Sequence, residues 1–329
     1  MEAIRMCLAV LLGSLAFLGL SINFVVIGPV FKLAWKIRKS SIYVISMVNI
    51  INDIVILTLI LGYLTPTIVF NHPLVQDNKY GQLPIVLSTI FMVTWYLGSL
   101  TQIIMAVNRL FVICILKQNV FSIERMVVIF CVIVPIAIVG AIFSQYLVPC
   151  CTLIFDSDFF SFSYAVIEER LNYANIFVDL ALNTLTSMTA CFCYVYIMIY
   201  IKKASSMVSS NIGDVGRRSR KMKEYSHAVQ FCMISVFYTF SWISFRIFPI
   251  FIQSKEFYIL IPLAVCFNSS ANAVIYLVFN TEVQSAIRTS SIFPRSFVKR
   301  IWGTTIVPST QNDLNSSQKN QTVVNLKKF

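Results

Sequence analysis

Seven long stretches with few or no charges recur along the chain, separated by segments that hold nearly all of its lysines and arginines. They cover residues 7–31, 41–65, 83–108, 126–148, 173–201, 226–250 and 257–280. A helix rises 1.5 Å per residue, so about 20 apolar residues cross a hydrocarbon core of ~30 Å. Each stretch meets that length. The pattern predicts an all-α membrane protein, a seven-transmembrane helix bundle, because a helix satisfies its own backbone in lipid. The first stretch reads as a retained helix and not a signal peptide. Its apolar run exceeds a normal h-region, and no clean small-residue cleavage site follows.

Composition agrees. The chain is 57% hydrophobic and 12% charged, against roughly 25% charged in a soluble domain. A net charge of +12 would suggest nucleic acid in a soluble protein. Here its distribution matters more, and no nucleic-acid partner is expected. Of the 26 lysines and arginines, all but Arg5, Lys79, Arg170, Arg246 and Lys255 lie in the odd-numbered connections or the C-terminal tail. The positive-inside rule then puts the N-terminus outside and the C-terminus in the cytoplasm. Residues 1–288 form one helical domain and 289–329 a cytoplasmic tail. From Thr304 the tail is rich in Ser, Asn, Gln and Thr and reads as largely disordered. Phe279, Val283 and Ile287, spaced by four with Arg288 adjacent, predict a short amphipathic helix after span 7. In the long outer loop 149–172, Phe155, Phe160, Phe162 and Tyr164 suggest a β-hairpin lying over the bundle.

Polar side chains inside apolar spans are costly and need a partner or a purpose. Asn23 lies in span 1, Asn49, Asn52 and Asp53 in span 2, and Thr101, Gln102 and Asn108 in span 3. Asp179 and Asn183 lie in span 5, His227 and Arg246 in span 6, and Asn268, Asn272 and Tyr276 in span 7. Many interhelical asparagines only hold helices together. Asn23, Asp53 and Asn272 lie at compatible depths, where a buried carboxylate needs amide donors, water or a cation. Asp179 and Arg246 either pair across neighbouring helices, or one meets a charged ligand. Arg109 cannot shed its charge and belongs at a membrane boundary or in a packed interior. The nine cysteines fall mostly in apolar runs, as small hydrophobes do. No CxxC pair or Cys/His cluster points to a metal, and no cofactor is expected. Asp53 and Asp179 are on different helices at different depths, so the chain does not read as an enzyme.

Seven helices with an external N-terminus resemble a G-protein-coupled receptor, and the residues agree in order. Asn23 follows Gly19 in span 1, and Asp53 matches the helix-2 aspartate of rhodopsin-like receptors. Asn108-Arg109-Leu110 stands where that family has Asp/Glu-Arg-Tyr. Asn272-Ala273-Val274-Ile275-Tyr276 stands where it has Asn-Pro-x-x-Tyr. The departures resemble a narrower group, the nematode serpentine chemoreceptors of class X. They are Asn108 before Arg109 after Met105-Ala106, Ala273 for proline, and Asn280-Thr281-Glu282-Val283-Gln284 after span 7. The resemblance runs from about Leu12 to Ile287.

The resemblance implies a chemosensory receptor for an unidentified small molecule, signalling by movement of helix 6 to a heterotrimeric G protein. It implies a multi-pass protein of the plasma membrane, among membrane lipids, in the sensory cilia of chemosensory neurons. Asn108, Arg109, Asn272 and Tyr276 would form the signalling switch. Asn23 and Asp53 would belong to a polar network, with sodium near Asp53. Ligand would meet Phe91, Met92 and Trp95 on the outer half of span 3, with Asp179, Tyr238, Trp242 and Arg246. Aromatics at this spacing fit helix packing equally well. Such receptors usually tie helix 3 to the second outer loop by a disulfide. Gly81-Gln82-Leu83-Pro84 offers no cysteine, which leaves Cys150 and Cys151 without an evident partner, and adjacent cysteines rarely pair. Asn108 in place of an acid removes the usual ion pair beside Arg109, worth ~1 kcal/mol when partly exposed. That predicts basal signalling.

Two other classes remain in view. A transporter or channel calls for internal repeats, broken helices or a charged conduction route, and none is visible. A non-functional receptor remnant fits the missing loop cysteine but not the intact spans.

Overall fold

The computed structural model describes residues 2–37, 40–72, 74, 80–115, 118–148, 150–165, 171–208, 215–251 and 254–289. Seven helices are long and apolar enough to cross a membrane. They are α1 (Glu2–Lys36), α2 (Ile42–Phe70), α3 (Gln82–Ile115), α4 (Ile123–Leu147), α5 (Ala174–Lys203), α6 (Val215–Phe251) and α7 (Glu256–Phe279). Strands β1 (Leu153–Asp156) and β2 (Ser161–Tyr164) lie between α4 and α5, and α8 (Thr281–Arg288) follows α7. The chain divides into two compact units, Met1–Ala286 and Ile287–Phe329. The disorder expected from Thr304 onward lies outside the described residues.

The packing is that of a bundle turned toward lipid. Large apolar side chains such as Phe24, Val139, Met188 and Phe192 are exposed, where hydrocarbon solvates them at no cost. The interior takes the small and polar residues, including Asn23, Ser46, Thr101, Asn183 and Asn272. Close approach comes from small residues, as expected where helices gain little from burying apolar surface. A Cβ on Gly19 would collide with Ser270 Oγ, so Ser270 of α7 packs directly on the α1 backbone there. α1 packs on α2 and α7, α3 on α2, α4 and α5, and α6 on α5 and α7. The most apolar 18-residue window of α7 is 72% buried and that of α4 only 22%, so α7 is central and α4 peripheral. That explains why α7 carries so many polar residues and α4 so few.

β1 and β2 pair antiparallel, with Phe155 opposite Phe162 and Asp156 opposite Ser161. The hairpin packs on α3 and α7, closing one end of the bundle. Gln145 near the end of α4 holds it by two bonds. The Gln145 amide donates to the Leu153 carbonyl at 3.1 Å, and its oxygen accepts the Leu153 N–H at 2.8 Å. A side chain thus stands in for a third strand, and the buried backbone pair is satisfied.

Three expectations need correction. Phe160 is not in a strand. It sits in the turn at φ 52°, where the left-handed conformation closes the loop. Cys150 and Cys151 are joined to each other, with φ of 100° and 71°. Those positive angles turn the two side chains together where an ordinary extended pair would splay them. Phe279 does not share the apolar face of the last helix. It ends α7, and Asn280 (φ −94°, ψ 98°) breaks the helix and caps the next. Its Oδ1 accepts the Glu282 and Val283 amides at 3.1 and 3.0 Å, a short polar side chain serving an N-terminus.

Candidate functional site

Residues at the hairpin end converge through α3. Phe91 and Trp95 are four apart, so they share one helical face, and their rings stack at 6.2 Å. Phe162 of β2 stacks on Phe91 at 4.2 Å, and Tyr238 of α6 stacks on Trp95 at 5.7 Å. An aromatic column therefore runs from the hairpin into the bundle. Beside it is a small cavity of about 30 Å³ lined by Phe91, Met92, Trp95 and Asp179, with Phe162, Tyr164 and Phe245. It has room for a water or two. A larger cavity of about 530 Å³ shares Phe162, Tyr164 and Phe245 with it and adds Arg246, Asp156, Asn175 and Tyr258. That volume is in the range of small-molecule sites.

α5 opens with a π-helical segment, Ala174–Leu180. Such segments shift the face a helix presents and recur at functional positions. Asp179, buried in this segment, pairs with Arg246 of α6 at 3.0 Å. Of the two sequence readings for these residues, pairing is the one observed. Asp179 Oδ1 also accepts the Asn183 amide at 2.8 Å. Asn183 Oδ1 in turn accepts from the Tyr238 hydroxyl, and the Ser99 hydroxyl donates to the Tyr238 oxygen. One polar chain therefore links α6, α5 and α3, from Arg246 through Asp179 and Asn183 to Tyr238 and Ser99. Tyr164, on the hairpin, is half-buried. Burial first, then the nearby Asp179 charge, pushes its phenol well above the usual value, so it stays neutral.

Trp242 does not join Tyr238. It is half-buried and lines none of the cavities described, although the i, i+4 spacing suggested a shared wall. Sequence reasoning left out Ser99, Phe245 and Tyr258, and had Phe162 and Tyr164 only as hairpin aromatics and Asn183 only as a buried amide. Asn183 was accessible in principle, one turn after Asp179. The loop aromatics were not, because only the fold brings β2 onto α3.

Deeper in the bundle, Asn272 donates to Asp53 Oδ2 at 2.5 Å. Asn23 donates to the Gly19 and Ser269 carbonyls at 2.9 and 3.0 Å. The three residues expected to associate thus lie in one region, but Asn23 contacts backbone and not the carboxylate. A cavity of about 20 Å³ beside Asp53 is lined by the oxygen-bearing Asn49, Asn52, Thr94, Gln102, Asn268 and Asn272. Oxygen donors of this kind fit water or a hard monovalent cation. No group of three or more His, Cys, Asp or Glu is placed to hold a metal among the described residues.

At the opposite end, Arg109 is 2% exposed. Its guanidinium lies over the Phe231 ring of α6 at 5.3 Å. Phe231 meets Tyr276 edge-on at 6.1 Å, and the Tyr276 hydroxyl bonds Ser46 of α2. The Gln230 amide donates to the Phe279 carbonyl at 3.1 Å. Together these contacts bind α3, α6, α7 and α2 at one level. Asn108 is fully buried, and neither polar atom of its side chain finds a hydrogen-bond partner among the described residues. No spacing rule revealed the Arg109–Phe231 contact, a cation held over an aromatic face.

The model of the family described as "Serpentine type 7TM GPCR chemoreceptor Srx" matches residues 14–280. No curated protein matches the chain by sequence. Among solved structures the chain is similar to squid rhodopsin, with a TM-score of 0.68 and 14% identity over 94% of this chain and 93% of that one. At that identity the likeness shows the fold.

Proposed function

The chain belongs to the Srx family of serpentine-type seven-transmembrane G-protein-coupled chemoreceptors, and from that premise we propose how this member signals. A small molecule binds in the cavity under the hairpin, α6 moves away from α3 at the Arg109 end, and a heterotrimeric G protein docks in the opening. The hairpin end faces outside and the Arg109 end the cytoplasm, as the lysine and arginine distribution supports. The receptor works in the plasma membrane, in the cilia of chemosensory neurons.

One observation carries this reading. α6 is held at two levels by contacts that can be exchanged: Asp179–Arg246 and Tyr238–Asn183 near the cavity, Arg109–Phe231 at the far end. A ligand that alters the first set changes how α6 sits, and only differential contacts of this kind can shift a conformational equilibrium. Asn108, Arg109, Asn272 and Tyr276 act as the switch, Asn23 and Asp53 as its polar support, and water or sodium occupies the space beside Asp53.

The test is a distance. Spin labels at Ile115→Cys on α3 and Tyr225→Cys on α6, with the reactive native cysteines replaced, report the separation of the two helix ends. Addition of G protein is expected to populate a second, longer distance. A single unchanged distance would rule out α6 movement as the signal.

A further inference from the structure

Arg246 stands on the wall of the larger cavity with hydrogen-bond donors to spare. Its Nη2 reaches the Asn175 carbonyl at 2.8 Å and Asp179 at 3.0 Å. Its Nε is enclosed and meets no acceptor. A guanidinium carries five N–H donors in one plane, and an enclosed donor without an acceptor is costly. The donors open to a molecule in the cavity are therefore those on the exposed part of the guanidinium, not Nε. The side chain is 22% exposed, enough to be reached from the cavity. The wall around it is aromatic, formed by Phe162, Tyr164, Phe245 and Tyr258. The cavity's other described charge, Asp156, is already engaged by the Asp158 amide and the Ser163 hydroxyl. Asp179 lies behind the arginine, 4% exposed, as its resident anion.

Resting on the receptor reading above, we propose that this cavity takes a small amphiphilic acid. Its carboxylate bonds the exposed part of the Arg246 guanidinium, and its apolar body lies against the aromatic wall. Carboxylate and guanidinium match through parallel hydrogen bonds, which favours this anion over a neutral hydroxyl. The acid competes with Asp179 for one cation. Because Asp179 is on α5 and Arg246 on α6, binding exchanges a helix–helix bond for a helix–ligand bond and loosens α6 from α5.

Competition makes the two halves of one ion pair behave oppositely. The full chain in lipid nanodiscs is heated with octanoate or 4-phenylbutyrate, and with the alcohols and amines of the same skeletons. Wild type is expected to be stabilised by the acids and not by their alcohols or amines. Arg246→Gln weakens the apparent affinity for acid by roughly tenfold or more. Asp179→Asn tightens it, because the competitor is gone. Equal stabilisation by alcohols or amines overturns the proposal, as does no stabilisation by any acid. So does a shift of both variants in the same direction, which a merely structural ion pair would give. If Arg246→Gln does not fold, the ranking of acids over alcohols and the gain in Asp179→Asn carry the test. The readout needs no G protein. Intact basal signalling without acid binding sinks this proposal alone, whereas acid binding without any G-protein response sinks the receptor mechanism alone.

Discussion

Replacing Phe231 by leucine removes the aromatic face beneath Arg109 and keeps the site apolar. A cation–π contact screened from water is worth about 2 kcal/mol, and Arg109 is 2% exposed. The edge contact with Tyr276 contributes up to about 1 kcal/mol more, part of which leucine packing restores. Taking ~2 kcal/mol as the net loss, and each 1.4 kcal/mol as tenfold, the ratio of open to closed receptor rises roughly 30-fold. The assay is ligand-independent nucleotide exchange on G protein in membranes, at matched surface expression. Phe231→Leu is expected to raise basal exchange strongly, while Phe231→Trp, which keeps a ring face, stays near wild type. Basal exchange unchanged or lowered in Phe231→Leu, or Phe231→Trp as active as Phe231→Leu, would refute the idea that this contact holds the receptor closed.

Asn108→Asp restores an acid beside the buried Arg109 and is expected to lower basal exchange several-fold; equal or higher exchange counts against that role. Tyr238→Phe deletes the hydroxyl shared by Ser99 and Asn183 and is expected to cost about 1–3 kcal/mol of stability, read as a lower melting temperature in nanodiscs. Gln145→Leu strips both partners from Leu153; faster amide exchange confined to the hairpin is the expected outcome, and unchanged protection would show that the stacked rings hold it without Gln145. Gly19→Ala places a Cβ against Ser270 Oγ and forces it to move, an overpacking cost of about 1–3 kcal/mol, and a melting temperature equal to wild type would contradict the close α1–α7 approach.

The bundle was legible because lipid imposes a strict rule on sequence: spans must be long, apolar and helical. The order Asn23, Asp53, Arg109, Asn272 then gave the resemblance to G-protein-coupled receptors, and the departures at Asn108, Ala273 and residues 280–284 gave the narrower one that the Srx match bears out. Pairwise geometry was less accessible. Asp179 and Arg246 carried a readable signal, since opposite charges at intramembrane depth seek each other. Phe231 carried none, because phenylalanine is ordinary in an apolar span and its place under Arg109 depends on how α6 packs against α3. The stacking of Phe162 on Phe91 likewise needed the strand register, and the pairing of Cys150 with Cys151 needed two positive φ angles that no residue type there announces. Periodicity along one helix, as at Tyr238 and Trp242, says which residues share a face but not which neighbour that face meets.

The most direct test of a working receptor centred on Arg109 is nucleotide exchange on a panel spanning the G-protein classes. Membranes carrying wild type or Arg109→Ala are compared with membranes lacking the receptor. Wild type is expected to exceed the receptor-free baseline with at least one G protein, and Arg109→Ala to fall back to it despite equal surface expression. Exchange by Arg109→Ala equal to wild type, or wild type at baseline across the whole panel even in the Phe231→Leu background, would contradict the account.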